Sequence, residues 1–342
     1  MSDSKQSRTN PIRIVALGGG TGLSMLLRGL KKHVANRPEQ ILRRRAHRIT
    51  DLVAVVTVTD DGGSSGRLRR EYSILPPGDI RNCLVGLSED EALLGRLFQY
   101  RFPVGRGLAG HSFGNLFLAA LTNVTGDFPE AVRFSGQVLA IRGRIYPSTT
   151  ANVALEALLE GGRVVAGETR ISRSRRRIRH VRLVPRSARP LPEVLRAIRD
   201  ADLILLGPGS LFTSIIPNLL VQGVSDAIRH SHAKCVYIAN LMTQPGETDG
   251  FSLADHIRAI YDHSDEGLFD CVVLNRTEIS PVVLRRYRRQ GAAPVESRLD
   301  ELRRLGISIV SGSILQRGEV VRHDHTRLAR LILSECSSRL RG

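Results

Sequence analysis

The stretch "PIRIVALGGGTGLSMLLRGLKKH" (residues 11–33) decides the fold. It opens with an apolar run long enough for one buried strand. Glycines then make a tight turn, and Leu23, Leu26, Leu27 and Leu30 recur at helical spacing. The segment therefore predicts strand, glycine turn and helix in succession. After a basic connector, "NRPEQILRRRAHR" (36–48), the apolar run "DLVAVVTVT" (51–59) supplies a second strand. Strand, helix and strand in that order give parallel pairing, because a right-handed crossover lays the helix on one face of the sheet.

Farther along, residues 79–140 carry mostly helical patterns, and "NVALEALLEGGRVVAGETRI" (152–171) reads as two strands about a Gly161-Gly162 turn. From Leu191 the alternation returns: helix "LPEVLRAIRDA", strand "DLILLG", a helix after Pro217, strand "KCVYIAN", helix "LADHIRAIYDH" and strand "DCVVLN". A strand at "ISIV" (307–310) and a helix at "HTRLARLILSECSSRL" (325–340) close the chain. The expected fold class is α/β: a doubly wound, mostly parallel sheet flanked by helices, with a small inserted β-hairpin region. No fixed-period repeat or long low-complexity linker interrupts it. The expected organisation is a flexible extension (1–11), a single α/β domain (12–335) and a helix end with tail (336–342).

Composition narrows the function classes. With 342 residues, 42% hydrophobic and 24% charged, the chain can bury a large core. Its polar start and the lack of any run of about 18 apolar residues predict no signal peptide and no membrane insertion, hence a cytoplasmic location. Cys83, Cys235, Cys271 and Cys336 are far apart, with no C-x-x-C pair, so buried thiols are expected rather than zinc or disulfides. The net charge of +17 points toward nucleic acid, but arginine supplies all except four of the 50 basic residues and the charge is scattered. Its densest run, "RSRRRIRHVR" (173–182), is broken by Ile178 and Val181, as in a solvated strand edge. Aromatics that could stack on bases make up 4% of the chain, which argues further against nucleic acid.

In an open parallel sheet, ligands bind outside the carboxyl ends of the strands, and the polar loops of this sequence gather there. Gly18, Gly19, Gly20, Thr21 and Gly22 follow the first strand and open a helix, so backbone N–H groups can hold an anion. The spacing is neither G-x-G-x-x-G nor a Walker loop, and a purely structural turn is an equal alternative. In "TVTDDGGSSGRLRREYSILPPGDIRN" (57–82), Asp60 and Asp61 stand at the end of the second strand, before Gly62, Gly63, Ser64 and Ser65. Such acids can meet ribose or sugar hydroxyls, hold Mg²⁺, or cap a helix. A rigid Pro-Pro-Gly turn delivers Asp79, Arg81 and Asn82, and "GHSFGNL" (110–116) delivers His111, Ser112 and Asn115. His111 can act as acid or base, or orient the helix it precedes. Two further loops offer Gly207, Gly209 and Ser210, then Asn240, Thr243, Gln244 and Thr248. Together they predict a polar ligand bearing phosphate.

Other chemistry is not written into the chain. It has no G-x-S-x-G elbow, no H-E-x-x-H and no cysteine nucleophile with a local histidine. The pairs His230/His232 and His323/His325, spaced two apart, read as solvated histidines rather than metal ligands.

Six blocks in order, among them "IVALGGGTGLSMLLRGLKK", "VTVTDDGGSSGRLRREYSILPPGDIRNCLVGLSE", "GHSFGNLFLAALTNVTGDFPEAV", "YIANLMTQPGETDGFSLADHI" and "VVRHD", resemble the YvcK-type gluconeogenesis factors. Their superfamily also contains CofD, the 2-phospho-L-lactate transferase of coenzyme F420 biosynthesis. The resemblance spans about residues 12–335. It implies a Rossmann-like core and a cytoplasmic factor needed for cell shape and wall synthesis on gluconeogenic carbon sources. It also implies a UDP-sugar ligand such as UDP-N-acetylglucosamine, with no established reaction, an unidentified protein partner in envelope synthesis and a homo-oligomeric state. By the same resemblance, Tyr287 in "LRRYRRQGAAPV" and Arg322 in "VVRHD" contact the UDP-sugar. A tyrosine ring suits uracil and a guanidinium suits pyrophosphate. The alternatives are an exposed amphipathic helix for Tyr287 and pairing with Asp324 for Arg322. The CofD branch implies instead a transferase of phosphorus-containing groups, with Mg²⁺ held by Asp60 and Asp61.

Overall fold

The computed structural model describes residues 11–35, 49–89 and 93–336. The first ten residues, the basic connector (36–48) and the tail from 337 onward lie outside the described residues.

Seven strands form a wholly parallel sheet: β1 (Ile12–Gly18), β2 (Ile49–Val56), β3 (Arg144–Pro147), β7 (Leu203–Leu206), β8 (Lys234–Ile238), β9 (Cys271–Asn275) and β10 (Ser308–Gly312). Their spatial order is β10-β9-β8-β7-β1-β2-β3. In the interior strands side chains on both faces are covered, which is why they read as unbroken apolar runs rather than alternating ones. Val15, for example, pairs with Val53 on one side and Ile204 on the other, and all three are buried.

The helix Gly20–Leu30 buries Leu23, Leu26, Leu27 and Leu30, each contributing roughly 2 kcal/mol relative to exposure. It is wedged between two other helices. A Cβ on Gly86 would come within 2.6 Å of the Ser24 carbonyl oxygen, and one on Gly29 within 2.0 Å of the His325 carbonyl oxygen. Only glycine permits these backbone approaches.

The inserted region has three strands rather than two: β4 (Ala154–Leu159), β5 (Val164–Ala166) and β6 (Ile178–Val184), antiparallel, in the order β5-β4-β6. The arginine-rich run supplies β6, an outer strand whose arginines face solvent while Ile178, Val181 and Leu183 are buried. All four cysteines are buried, free thiols.

The chain steps from β1 outward to β2 and β3, and later from β7 outward to β8, β9 and β10. The winding direction reverses between β1 and β7, so the loops leaving those two strands diverge at the carboxyl edge and open a crevice.

Candidate functional site

A cleft of about 770 Å³ occupies that crevice. Gly19, Gly20, Thr21 and Gly22 form its floor, with Arg28 one helical face farther on. Gly209 and Ser210 follow β7, Asn240 and Gln244 follow β8, and Tyr287, Arg322, His323 and His325 close the far side. The N-cap residue, Gly19, has no side chain to cap the Gly20–Leu30 helix, and Thr21 and Gly22, whose first-turn N–H groups lack intrahelical partners by geometry, line the cleft.

Hydrogen bonds knit the walls. Asn240 Nδ2 donates to the Gly209 carbonyl at 2.8 Å, and Gln244 Nε2 donates to Ser210 Oγ at 2.7 Å. Asn218 Nδ2 donates to the Gly18 carbonyl at 3.1 Å, tying the segment after β7 to the end of β1. On the far side the Val321 N–H donates to Tyr287 Oη at 3.1 Å. Tyr287 is therefore half-buried and anchored at its hydroxyl, although its helix, Pro281–Arg289, is an exposed one with no buried residue, as the alternative reading expects. Asp324 caps the helix His325–Leu331 through the Thr326 and Arg327 N–H groups and pairs with Arg327, leaving Arg322 to the cleft.

Several predicted residues stand behind the cleft rather than on it. Gly18 ends β1, and Gly207 carries the turn after β7 at φ +81°. Asp60 Oδ1 accepts from the Gly62 N–H at 2.8 Å, the local turn-forming bond of an Asx residue. Asp61 Oδ1 accepts from the Thr169 N–H at 2.9 Å and from Thr169 Oγ1 at 2.7 Å, holding the Glu168–Arg173 helix against the loop. Gly63 begins the Gly63–Tyr72 helix at φ +44°. Ser64 Oγ bonds His111 Nδ1 at 2.9 Å, both side chains being buried, and Ser65 packs against Gly78. Burial lowers the His111 pKa, with the Arg67 charge adding to the effect. Asn82 accepts from Arg81, and Ser112, not His111, caps the Phe113–Thr125 helix by accepting from the Asn115 N–H.

The acids that reach the cleft are Asp79 and Glu168. Asp79 packs against the glycine loop: a Cβ on Gly19 would sit 2.7 Å from Asp79 Oδ2, and the Gly20 N–H donates to the carboxylate. Burial, reinforced by the Asp60 charge, pushes the Asp79 pKa up to about 6. Glu168 is raised well above the usual carboxylate range by burial and then by Asp60, Asp79, Glu247 and Asp61. Nothing in the sequence of residue 168 marked it; it arrives through the hairpin insertion. No group of three or more His, Cys, Asp or Glu side chains among the described residues is placed to hold a metal by itself. Asp60 and Asp61 each use one oxygen, Oδ1, for their internal bonds, and the cleft acids are likewise held: Glu168 Oε2 accepts from Thr59 Oγ1 and Asp79 accepts from the Gly20 N–H.

One histidine pair departs from expectation. The spacing predicts His323 in solvent, yet it is only 6% exposed; its backbone bridges Leu315 and it belongs to the cleft wall. No helix among the described residues is long and apolar enough to cross a membrane.

Comparison with known proteins places this arrangement. The family profile for 2-phospho-L-lactate transferase CofD matches residues 14–315. The gluconeogenesis factor of Bacillus subtilis (strain 168) is 47% identical over 322 residues, covering 94% of this chain and 97% of that protein. The gluconeogenesis factor of Halalkalibacterium halodurans is 45% identical over 321 residues, covering 94% and 95%. The crystal structure of a UPF0052 family member from Bacillus halodurans superposes with a TM-score of 0.88 at 44% identity, covering 95% of this chain and all of that one. With its crevice at the point where the sheet reverses and these relatives along nearly its whole length, the chain belongs to the CofD family, among the gluconeogenesis factors of the YvcK type.

Proposed function

We propose that this protein binds a nucleotide-sugar of the UDP-N-acetylglucosamine kind in the cleft and acts in the cytoplasm as a ligand-responsive regulator linking gluconeogenic carbon supply to wall synthesis and cell shape. The observation that carries the reading is one cleft with glycine-loop N–H groups on its floor and Tyr287 and Arg322 on its far side. Phosphates suit the first, a base or sugar beside a planar ring suits the second, and a cleft of about 770 Å³ accommodates a ligand of that size. Regulation requires that bound and free states differ in partner affinity or conformation.

Arg322→Ala is expected to lower UDP-N-acetylglucosamine affinity by about tenfold or more, as for loss of a charge-assisted contact. Tyr287→Ala is expected to do the same, whereas Tyr287→Phe keeps the ring and loses only the bond from Val321. Calorimetry on folded variants checks this; unchanged affinity in both alanine variants contradicts the assignment.

A second reading has an observation of its own. Asp79 and Glu168, both raised chiefly by burial and then by the Asp60 charge, would hold Mg²⁺ together with phosphate oxygens in a transferase of the CofD kind. The metal would supply charge neutralisation at the phosphate, while the Gly20 N–H keeps Asp79 in place. That reading differs in requiring turnover.

A further inference from the structure

Among the described residues, two buried polar atoms of cleft-lining side chains have no hydrogen-bond partner: Gln244 Oε1 and His323 Nε2. The rest of each side chain fixes what that open atom can do. Gln244 Nε2 is already bonded to Ser210 Oγ at 2.7 Å, so the amide oxygen is the open end. The ring of His323 donates from its other nitrogen to the Ala239 carbonyl. Its single proton therefore sits on Nδ1, and Nε2 presents a lone pair. Burial holds the His323 pKa down to about 4, so the ring stays neutral across the physiological range. It is an acceptor there, not a cation for phosphate.

The cleft thus asks for two kinds of ligand atom. First-turn N–H groups and Arg322 call for an anion. Gln244 Oε1 and His323 Nε2 call for donors, and a buried acceptor without a donor is costly. The pyrophosphate of a nucleotide-sugar, esterified at both ends and so without an O–H, meets the first demand and leaves the second to the rest of the ligand. We propose that Gln244 and His323 are the specificity pair of the cleft, accepting hydrogen bonds from N–H or O–H donors on the uncharged part, sugar or base, of a nucleotide-sugar. This rests on the ligand class argued above and says which of its atoms are read.

The test compares two ligands on the full chain, UDP-N-acetylglucosamine and inorganic pyrophosphate, for the wild type, His323→Leu, His323→Gln and Gln244→Leu. Loss of one neutral acceptor should weaken the nucleotide-sugar by about tenfold. Pyrophosphate affinity should not change, and His323→Gln, which keeps an acceptor near the position of Nε2, should recover part of the loss. Equal losses for both ligands, or none for the nucleotide-sugar, overturn the assignment. Should His323→Leu fail to fold, Gln244→Leu and the ¹⁵N resonance of His323 Nε2 in the wild type decide. Ligand should move that resonance upfield as the lone pair accepts a bond, and a stationary resonance contradicts the proposal. A wild type that binds no nucleotide-sugar overturns the parent reading together with this one, whereas wild-type binding with indifferent variants overturns this one alone.

Discussion

Asp79 shows how one residue can serve a site at the expense of the fold. Its pKa of about 6 lies above the ordinary 3.8, so the folded state binds the proton more tightly than the unfolded chain does. Stability is then undiminished below about pH 4, falls as pH rises toward 6, and stays reduced above that. The displacement corresponds to at most about 3 kcal/mol. Asp79→Asn keeps an acceptor for the Gly20 N–H and removes the charge. It should raise the melting temperature at pH 7.5, have little effect at pH 4, and lower the pKa of neighbouring Glu168. Equal melting temperatures at pH 7.5 would contradict the burial argument. The sequence placed Asp79 among the ligand-side acids because a Pro-Pro-Gly turn delivers it to a helix start. It could not say that Asp60 and Asp61 would find internal partners, since Thr169 lies 108 residues from Asp61. Nor could it bury His323, whose backbone bridges Leu315 and which is only 6% exposed.

At the scale of elements, the glycine loop is shaped as much by its neighbour as by a ligand. A Cβ on Gly22 would lie 2.3 Å from the Pro208 carbonyl oxygen and 2.8 Å from its carbon, so the loops after β1 and β7 touch backbone to backbone. No side-chain rotation relieves such a clash. Gly22→Ala should destabilise the fold by about 1–3 kcal/mol and, by prising the loops apart, weaken ligand binding. Gly63→Ala meets nothing within 4 Å and has only its φ of +44° to accommodate, so stability should fall by about 1 kcal/mol with binding retained. Denaturant midpoints and ligand titrations on the two variants distinguish these outcomes; retained binding in Gly22→Ala would show that the loop contact is dispensable. The structural reading of the glycine loop therefore holds, and the same loop lines the cleft. Strand and helix periodicity was legible wherever burial is one-sided or continuous. The short β3, with four residues, carried too little pattern to be read, and β6 was legible as a strand edge but not as the third member of the hairpin sheet.

The whole molecule brings the two halves of the sequence to one edge. The glycine loop comes from the first half, Tyr287 and Arg322 from the last fifth, and the β1–β7 pairing joins them. That much was foreseeable, because a doubly wound sheet can open a ligand crevice only where its winding reverses. The arginine excess is dispersed over the surface, much of it in exposed pairs such as Arg133 with Glu130 and Arg196 with Glu193. Such pairs contribute little to stability individually. The central claim is that the crevice takes a nucleotide-sugar, and isothermal titration of the full chain with UDP-N-acetylglucosamine, UDP-glucose and GDP, each with and without Mg²⁺, tests it most directly. The account predicts saturable binding of the UDP-sugars in the micromolar range, with heat that ends when the site is full. No UDP-sugar binding, a preference for GDP, or heat that continues as turnover would contradict it.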